Sequence, residues 1–125
     1  MYTLGVRRTF SARHYLVGGD WGEENSEHSH NYQLELVIEK EELDRHGFLV
    51  DIVEVEHHLD VVTADFQDQT LNTLAAFAGI NPSIERLATV IHDIFRERLH
   101  SFRLEALTVT IWEDDIAWTS YRATL

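Results

Sequence analysis

The sequence contains no cysteine, one proline and a single lysine among its 125 residues. Without cysteine, disulfide bonds, thiolate nucleophiles and cysteine metal ligands are all excluded. No segment is apolar for long enough to cross a bilayer, and residues 1–9 lack the apolar core of a signal peptide. We therefore expect a cytoplasmic protein with one domain covering residues 1–125.

Positive charge is scarce, because 22 acidic residues face only 10 basic ones and the formal net charge is −12. Nucleic acids and anionic membranes bind clustered positive charge, so we expect neither as a partner. An anionic substrate would need a local positive site within a field that repels it. The hydrophobic content of 44% is sufficient for one ordinary core.

The most informative stretch runs from Glu27 to Glu39. Apolar and polar residues alternate from Tyr32 onward, which predicts a strand with one buried face. Extending the alternation backward puts His28 and His30 on that face, about 6.5–7 Å apart at the backbone. Two imidazoles so placed suit a metal ion, and zinc is the first choice because catalytic zinc sites typically have three protein ligands and one open position.

A third histidine is suggested by residues 2–14, which also alternate as a strand. His14 continues the apolar face of Phe10 and Ala12. A lone histidine there is more simply a hydrogen-bonded core residue, but the histidine pair expected on the neighbouring strand favours a shared site. His14, His28 and His30 are therefore the predicted zinc ligands.

The loop between these strands, residues 15–27, is rich in glycine and acidic residues. Loops held beside a metal by rigid strands are common places for catalytic groups. Glu23, Glu24 and Glu27 are thus candidates for a base beside the ion. A solvated acidic loop is an equally good interpretation of any one of them.

The rest of the chain predicts two helices followed by two strands. Asp51 is a candidate N-cap for the first helix, and Asn81-Pro82-Ser83 opens the second, where proline suits an early position. Residues 65–72 are predicted as a polar loop, and strands follow at 107–112 and 117–124. Four of the histidines outside the candidate site are predicted at the surface: His57, His58, His92 and His100.

Glu113 continues the inner face of the third predicted strand. A carboxylate buried without a partner costs several kcal/mol. Arg122 is one possible partner within the protein. A ligand with adjacent N–H donors, such as the guanidine-like edge of a heterocycle, is the other.

Several motifs together resemble the 6-pyruvoyl-tetrahydropterin synthase and 6-carboxy-tetrahydropterin synthase family over nearly the whole chain. Residues 10–14 resemble its F-x-A-x-H, residues 28–32 its H-G-H-N/S-Y/F, and residues 81–85 its N-P-T-x-E. The remaining matches are Val50-Asp51, Leu71-Asn72, and Glu113 followed by Tyr121-Arg122. The resemblance implies an α+β tunnelling fold: a four-stranded antiparallel sheet with two helices on one face, in the order β-β-α-α-β-β that periodicity also predicts.

By this resemblance, His14, His28 and His30 correspond to the zinc ligands and Glu113 to the residue that anchors the pterin ring. The implied substrate is 7,8-dihydroneopterin triphosphate or a related dihydropterin, in queuosine, folate or biopterin biosynthesis. The implied assembly is a homo-hexamer, a dimer of trimers joined through sheet edges.

The sequence departs from the family in its proton-transfer residues. Glu24 occupies the position of the usual catalytic cysteine, and Gln67 and Asp68 replace the usual Asp-His pair. Family variants with glutamate in place of the cysteine cleave the substrate side chain, which makes Glu24 the predicted base and Asp68 the predicted proton relay. The alternative is a non-catalytic zinc-containing protein that binds pterins or purines. A purely structural zinc domain fits poorly, since three histidines leave a coordination position open.

Overall fold

The computed structural model describes all 125 residues, which form a single four-stranded antiparallel sheet covered by two helices. The sheet order is β1-β2-β3-β4, and the α+β order β-β-α-α-β-β is confirmed. The elements are β1 (Tyr2–His14), β2 (His28–Lys40), α1 (Ile52–Phe66), α2 (Ile84–Arg98), β3 (Ala106–Trp112) and β4 (Trp118–Thr124). No helix is both long and apolar enough to span a membrane.

The core lies between the sheet and the helices. Alternation along β2 buries Tyr32, Leu34 and Leu36 on the helix side, as the sequence predicts. Helix α1 packs against β1, while α2 packs against β3 and β4. The apolar stripe of each helix therefore covers a different half of the sheet.

Both helices begin with a side-chain cap. The Asp51 carboxylate accepts a hydrogen bond from Val53 N at 3.0 Å, which confirms the predicted cap. The Ser83 hydroxyl accepts one from Arg86 N at 3.2 Å, so α2 begins at Ile84. Pro82 therefore lies before the cap, not in the first turn as predicted, because Ser83 supplies the acceptor that the helix start requires.

Two local predictions are wrong. His92 is fully buried, with Nε2 2.9 Å from Leu107 O and its ring centroid 4.7 Å from that of Tyr121. The reason is that two strands pack against α2, so the buried face of this helix is wider than a single stripe. The predicted polar loop from residue 65 also begins too early, because α1 extends to Phe66, which is 5% exposed.

The strand register brings distant residues to one end of the sheet. His14 lies opposite His28, and Ala12 lies opposite His30. Continuing the β2–β3 register by one residue beyond the Gln33–Trp112 pair places Glu113 opposite Tyr32. The candidate site residues of three strands consequently meet where β1 and β3 end and β2 begins.

Candidate metal centre

The three predicted histidines converge. Their ring centroids lie 4.6, 5.0 and 4.8 Å apart in the three pairs. The Nε2 atoms of His14, His28 and His30 are all buried, and none has a hydrogen-bond partner. Leaving a buried polar atom unpaired costs about 1–3 kcal/mol. Three such atoms that converge form a group that could hold a metal ion.

Hydrogen bonds at the opposite ring nitrogens fix the tautomers of two histidines. His14 Nδ1 lies 2.8 Å from Pro82 O, and His28 Nδ1 lies 2.7 Å from Ser26 O. Because a carbonyl only accepts, each Nδ1 carries the proton and each Nε2 lone pair is free. Burial lowers the pKa of His30, and the nearby Glu113 carboxylate opposes this only in part. Neutral imidazoles with free Nε2 atoms are the state that binds zinc.

Two carboxylates lie beside these nitrogens. Glu24 Oε2 is 3.2 Å from His28 Nε2, and Glu113 Oε1 is 2.9 Å from His30 Nε2, although neither contact is aligned as a hydrogen bond. The three histidines and Glu24 each bring a ligand atom to within 4.8 Å of the others. The donor set therefore fits a zinc ion held by three imidazoles, with an acid at the remaining side.

Side-chain amides hold the loop that carries Glu24. Asn72 exchanges two hydrogen bonds with the backbone of Tyr15, at 3.0 and 2.8 Å. Asn81 makes the same pair of bonds with Val17, at 2.8 and 3.0 Å. Immediately after His14 no neighbouring strand pairs with the chain. The two asparagine side chains make the backbone hydrogen bonds that such a strand would make.

Asn25 closes the same loop from the other side. Its Nδ2 donates to Leu16 O and Gly19 O, each at 3.0 Å, and its Oδ1 accepts from Trp21 N at 2.8 Å. Leu16 N in turn donates to Glu24 O at 2.8 Å. The Glu24 backbone is therefore attached to the segment that directly follows a candidate zinc ligand.

The alternative bases Glu23 and Glu27 and the predicted proton relay Asp68 are not at the centre. Glu27 is bonded to Thr70 Oγ1 at 2.5 Å, and Glu23 is exposed in the short helix Gly22–Asn25. Asp68 is exposed and accepts a hydrogen bond from Gln67 Nε2 at 3.2 Å. Within one chain, the structure brings Glu24 to the histidines but not Asp68.

Glu113 is not paired with Arg122, so that alternative is wrong. Arg122 lies on the opposite face of the sheet and binds Glu39 at 2.8 Å. The side chain of Glu113 is 24% exposed, with no salt bridge to an arginine or lysine, and its Oε1 lies 2.9 Å from His30 Nε2. Its carboxylate therefore remains available to a ligand.

Sequence reasoning missed Tyr32. Its side chain is 1% exposed and its hydroxyl has no hydrogen-bond partner. The ring stacks on Phe10 at 5.3 Å and lies 5.6 Å from the His30 ring. Burial raises the pKa of Tyr32, and the Glu113 and Glu24 carboxylates raise it further, so the hydroxyl is a protonated donor. The available signals were its place two residues after a predicted ligand and at the end of the motif of residues 28–32.

The fold and this centre define a class: one-domain α+β proteins with three histidines at the end of an antiparallel sheet. The chain belongs to the 6-pyruvoyl tetrahydropterin synthase family, whose model matches residues 3–124. No curated protein sequence matches the chain.

Solved structures support the same fold. The 6-pyruvoyl tetrahydropterin synthase of Caenorhabditis elegans is 20% identical, with 98% of this chain and 96% of that chain covered and a TM-score of 0.87. The Plasmodium falciparum enzyme is 12% identical, with 99% of this chain and 98% of that chain covered and a TM-score of 0.83. A Plasmodium vivax enzyme in which a catalytic glutamate is replaced by alanine is 13% identical, with coverage of 99% and 98% and a TM-score of 0.81.

Proposed function

We propose that the protein is a zinc-dependent lyase or synthase that acts on 7,8-dihydroneopterin triphosphate or a related dihydropterin. The observation that carries this proposal is the convergence of three unpartnered Nε2 atoms with the Glu24 carboxylate. Family membership supports pterin chemistry at this place. The open side of a three-histidine site leaves room for substrate hydroxyl groups.

His14, His28 and His30 are the proposed zinc ligands. When bound, the ion supplies a Lewis acid that polarises the hydroxyl oxygens of the substrate side chain. The carbonyls of Pro82 and Ser26 keep the protons of two of these rings on Nδ1. The ligand nitrogens are thereby oriented before the ion arrives.

Glu24 is the proposed general base, which removes a proton from the substrate side chain. Its carboxylate is half exposed and lies beside the imidazole cluster, where it can reach a substrate group at the open position. The Plasmodium vivax enzyme supports a glutamate in this role, since a glutamate is its catalytic residue. A base of this kind suits cleavage of the substrate side chain.

Glu113 is the proposed pterin anchor, accepting hydrogen bonds from the N–H groups of the ring edge. Asp68 is the proposed proton relay. Because Asp68 is exposed beside β1, with its backbone N–H bonded to Ser11 O, it would serve the centre of a neighbouring copy. A relay supplied by a neighbouring copy fits a homo-hexamer joined through sheet edges. The cytoplasmic location of the protein stays a prediction.

The second candidate is a non-catalytic zinc-containing protein that binds pterins or purines. The observation in its favour is that Asp68 does not join Glu24 at the centre within one chain. Zinc binding and Glu113 would be retained, while proton transfer would be lost. The two functions differ in whether the bound pterin is converted.

The test is incubation of the zinc-loaded protein with 7,8-dihydroneopterin triphosphate, with products followed by mass spectrometry. We expect a shortened or rearranged pterin from the wild type. Glu24→Gln should retain zinc and pterin binding but lower turnover by about 100- to 10,000-fold, the usual contribution of a general base.

Glu23→Gln is the matched control, because it removes the adjacent carboxylate in the same short helix. Full activity of Glu24→Gln would overturn the assignment of the base. Tight binding without conversion by the wild type would instead establish the binding-protein function.

A further inference from the structure

A surface cavity lined by cationic and apolar side chains lies far from the histidines. The end of α2, the following short helix His100–Phe102, residues 103–104 before β3 and Leu125 after β4 surround this cavity of about 610 Å³. β3 is seven residues long, so the two ends of the sheet are separated by about 20 Å. Its lining residues are Arg96, Leu99, His100, Ser101, Arg103, Leu104 and Leu125.

The cations of this cavity are unpaired. Arg96, His100 and Arg103 make no ion pair and no side-chain hydrogen bond, although Glu97 lies beside the rim. Most other arginines have partners in the chain: Arg7, Arg8 and Arg122 bind carboxylates, Arg13 binds Asp68 O, and Arg45 and Arg98 bind histidines. Arg86 has none, but it does not line the cavity. In a chain with a net charge of −12, unpaired cations grouped in one cavity point to a partner outside the chain.

The backbone at Arg103 adds an independent observation. Arg103 has φ 54° and ψ 52°, the left-handed conformation, where it ends the short helix. Glycine is the favoured residue at such a position, and another residue costs about 1 kcal/mol or more. Strain of this kind clusters at ligand clamps. The strained position here carries a cation that lines the cavity.

We propose that this cavity binds the phosphate group of a phosphorylated small molecule. Two guanidinium groups offer planar pairs of N–H donors that match phosphate oxygens, and Ser101 adds a hydroxyl donor. Leu99 and Leu104 provide an apolar floor for the carbon part of the ligand. The site is separate from the metal centre and does not depend on the proposed function.

Binding of inorganic phosphate to the full-length protein, measured by calorimetry at low ionic strength, tests the proposal. We expect binding that weakens with added salt, because the contacts are ionic and exposed. Phenyl phosphate should bind more tightly than inorganic phosphate, because only the ester reaches the apolar floor. Equal affinity for phenyl phosphate and inorganic phosphate would contradict the proposal that the ligand is a phosphorylated small molecule. The cavity would then be a site for free phosphate.

Arg96→Ala and Arg103→Gly should each weaken phosphate binding at least tenfold. Arg86→Ala is the matched control, since Arg86 is exposed, lies on the same helix and does not line the cavity. Arg103→Gly should also raise the melting temperature without phosphate, because glycine relieves the backbone strain. No phosphate binding by the wild type, or equal weakening by Arg86→Ala, would overturn the proposal.

Discussion

At the scale of single residues, Tyr32 has the one buried hydroxyl in the core that lacks a partner. A phenylalanine would pack equally well there without the cost of an unpaired polar group. The strand register places Tyr32 opposite Glu113, the proposed pterin anchor. A hydroxyl that is unsatisfied in the free protein is suited to donate a hydrogen bond to a bound substrate.

We expect Tyr32→Phe to raise the free energy of unfolding of the free protein by about 1 kcal/mol, since the unpaired hydroxyl is removed. The same change should lower kcat/KM for the dihydropterin about tenfold, the equivalent of one hydrogen bond. Thermal unfolding and steady-state kinetics measure the two effects. Unchanged kinetics with altered stability would show that Tyr32 only packs.

At the scale of elements, side-chain amides rather than buried apolar groups hold the loop between β1 and β2, and Asn25 is the amide that belongs to the loop itself. All three of its hydrogen bonds go to backbone atoms of this loop. Glu24 is the adjacent residue, and its carbonyl is bound by Leu16 N. The position of the proposed base thus depends on a side chain that does not touch the histidines.

Asn25→Ala should lower kcat at least tenfold, while the zinc content stays at one ion per chain and KM changes little. The reason is that the loop loses three hydrogen bonds and Glu24 loses its fixed position. Kinetics with metal analysis provide the measurement, and Glu23→Ala in the same short helix is the control. Loss of zinc together with activity would show instead that Asn25 maintains the metal centre.

At the scale of the whole molecule, β1 is an outer strand of the sheet, with one side that no other strand covers. Ser11 O and Arg13 N bond to residues 68 and 69 along the outer edge of β1. Because alternate residues of a strand point to the same side, the N–H of Gly5 also points outward. An open strand edge of this kind is where another copy can pair.

Gly5→Pro should convert the expected hexamer to smaller species, because proline removes an outward N–H. Gly5→Ala keeps this N–H, and an added Cβ would meet Val37 Cγ2 at an ordinary 3.7 Å, so it should leave the assembly intact. Light scattering after gel filtration gives the masses. A hexamer that survives Gly5→Pro would exclude pairing at this edge.

The sequence by itself determined the strands, the helices and the three histidines. Alternation with a period of two reports which face of a strand is buried, so His14, His28 and His30 were assigned to one face. The cap at Asp51 was predictable for a similar reason, since it acts on a residue two positions away.

Only the tertiary structure decided which acidic residues reach the histidines. It also decided which residues are buried by contacts with segments distant in the sequence. Glu24, rather than Glu23 or Glu27, lies at the centre because the loop closes through Asn25 and Leu16. His92 is buried because two strands cover one helix. These outcomes depend on contacts between residues distant in the chain, and periodicity in one segment carries no information about what packs against it.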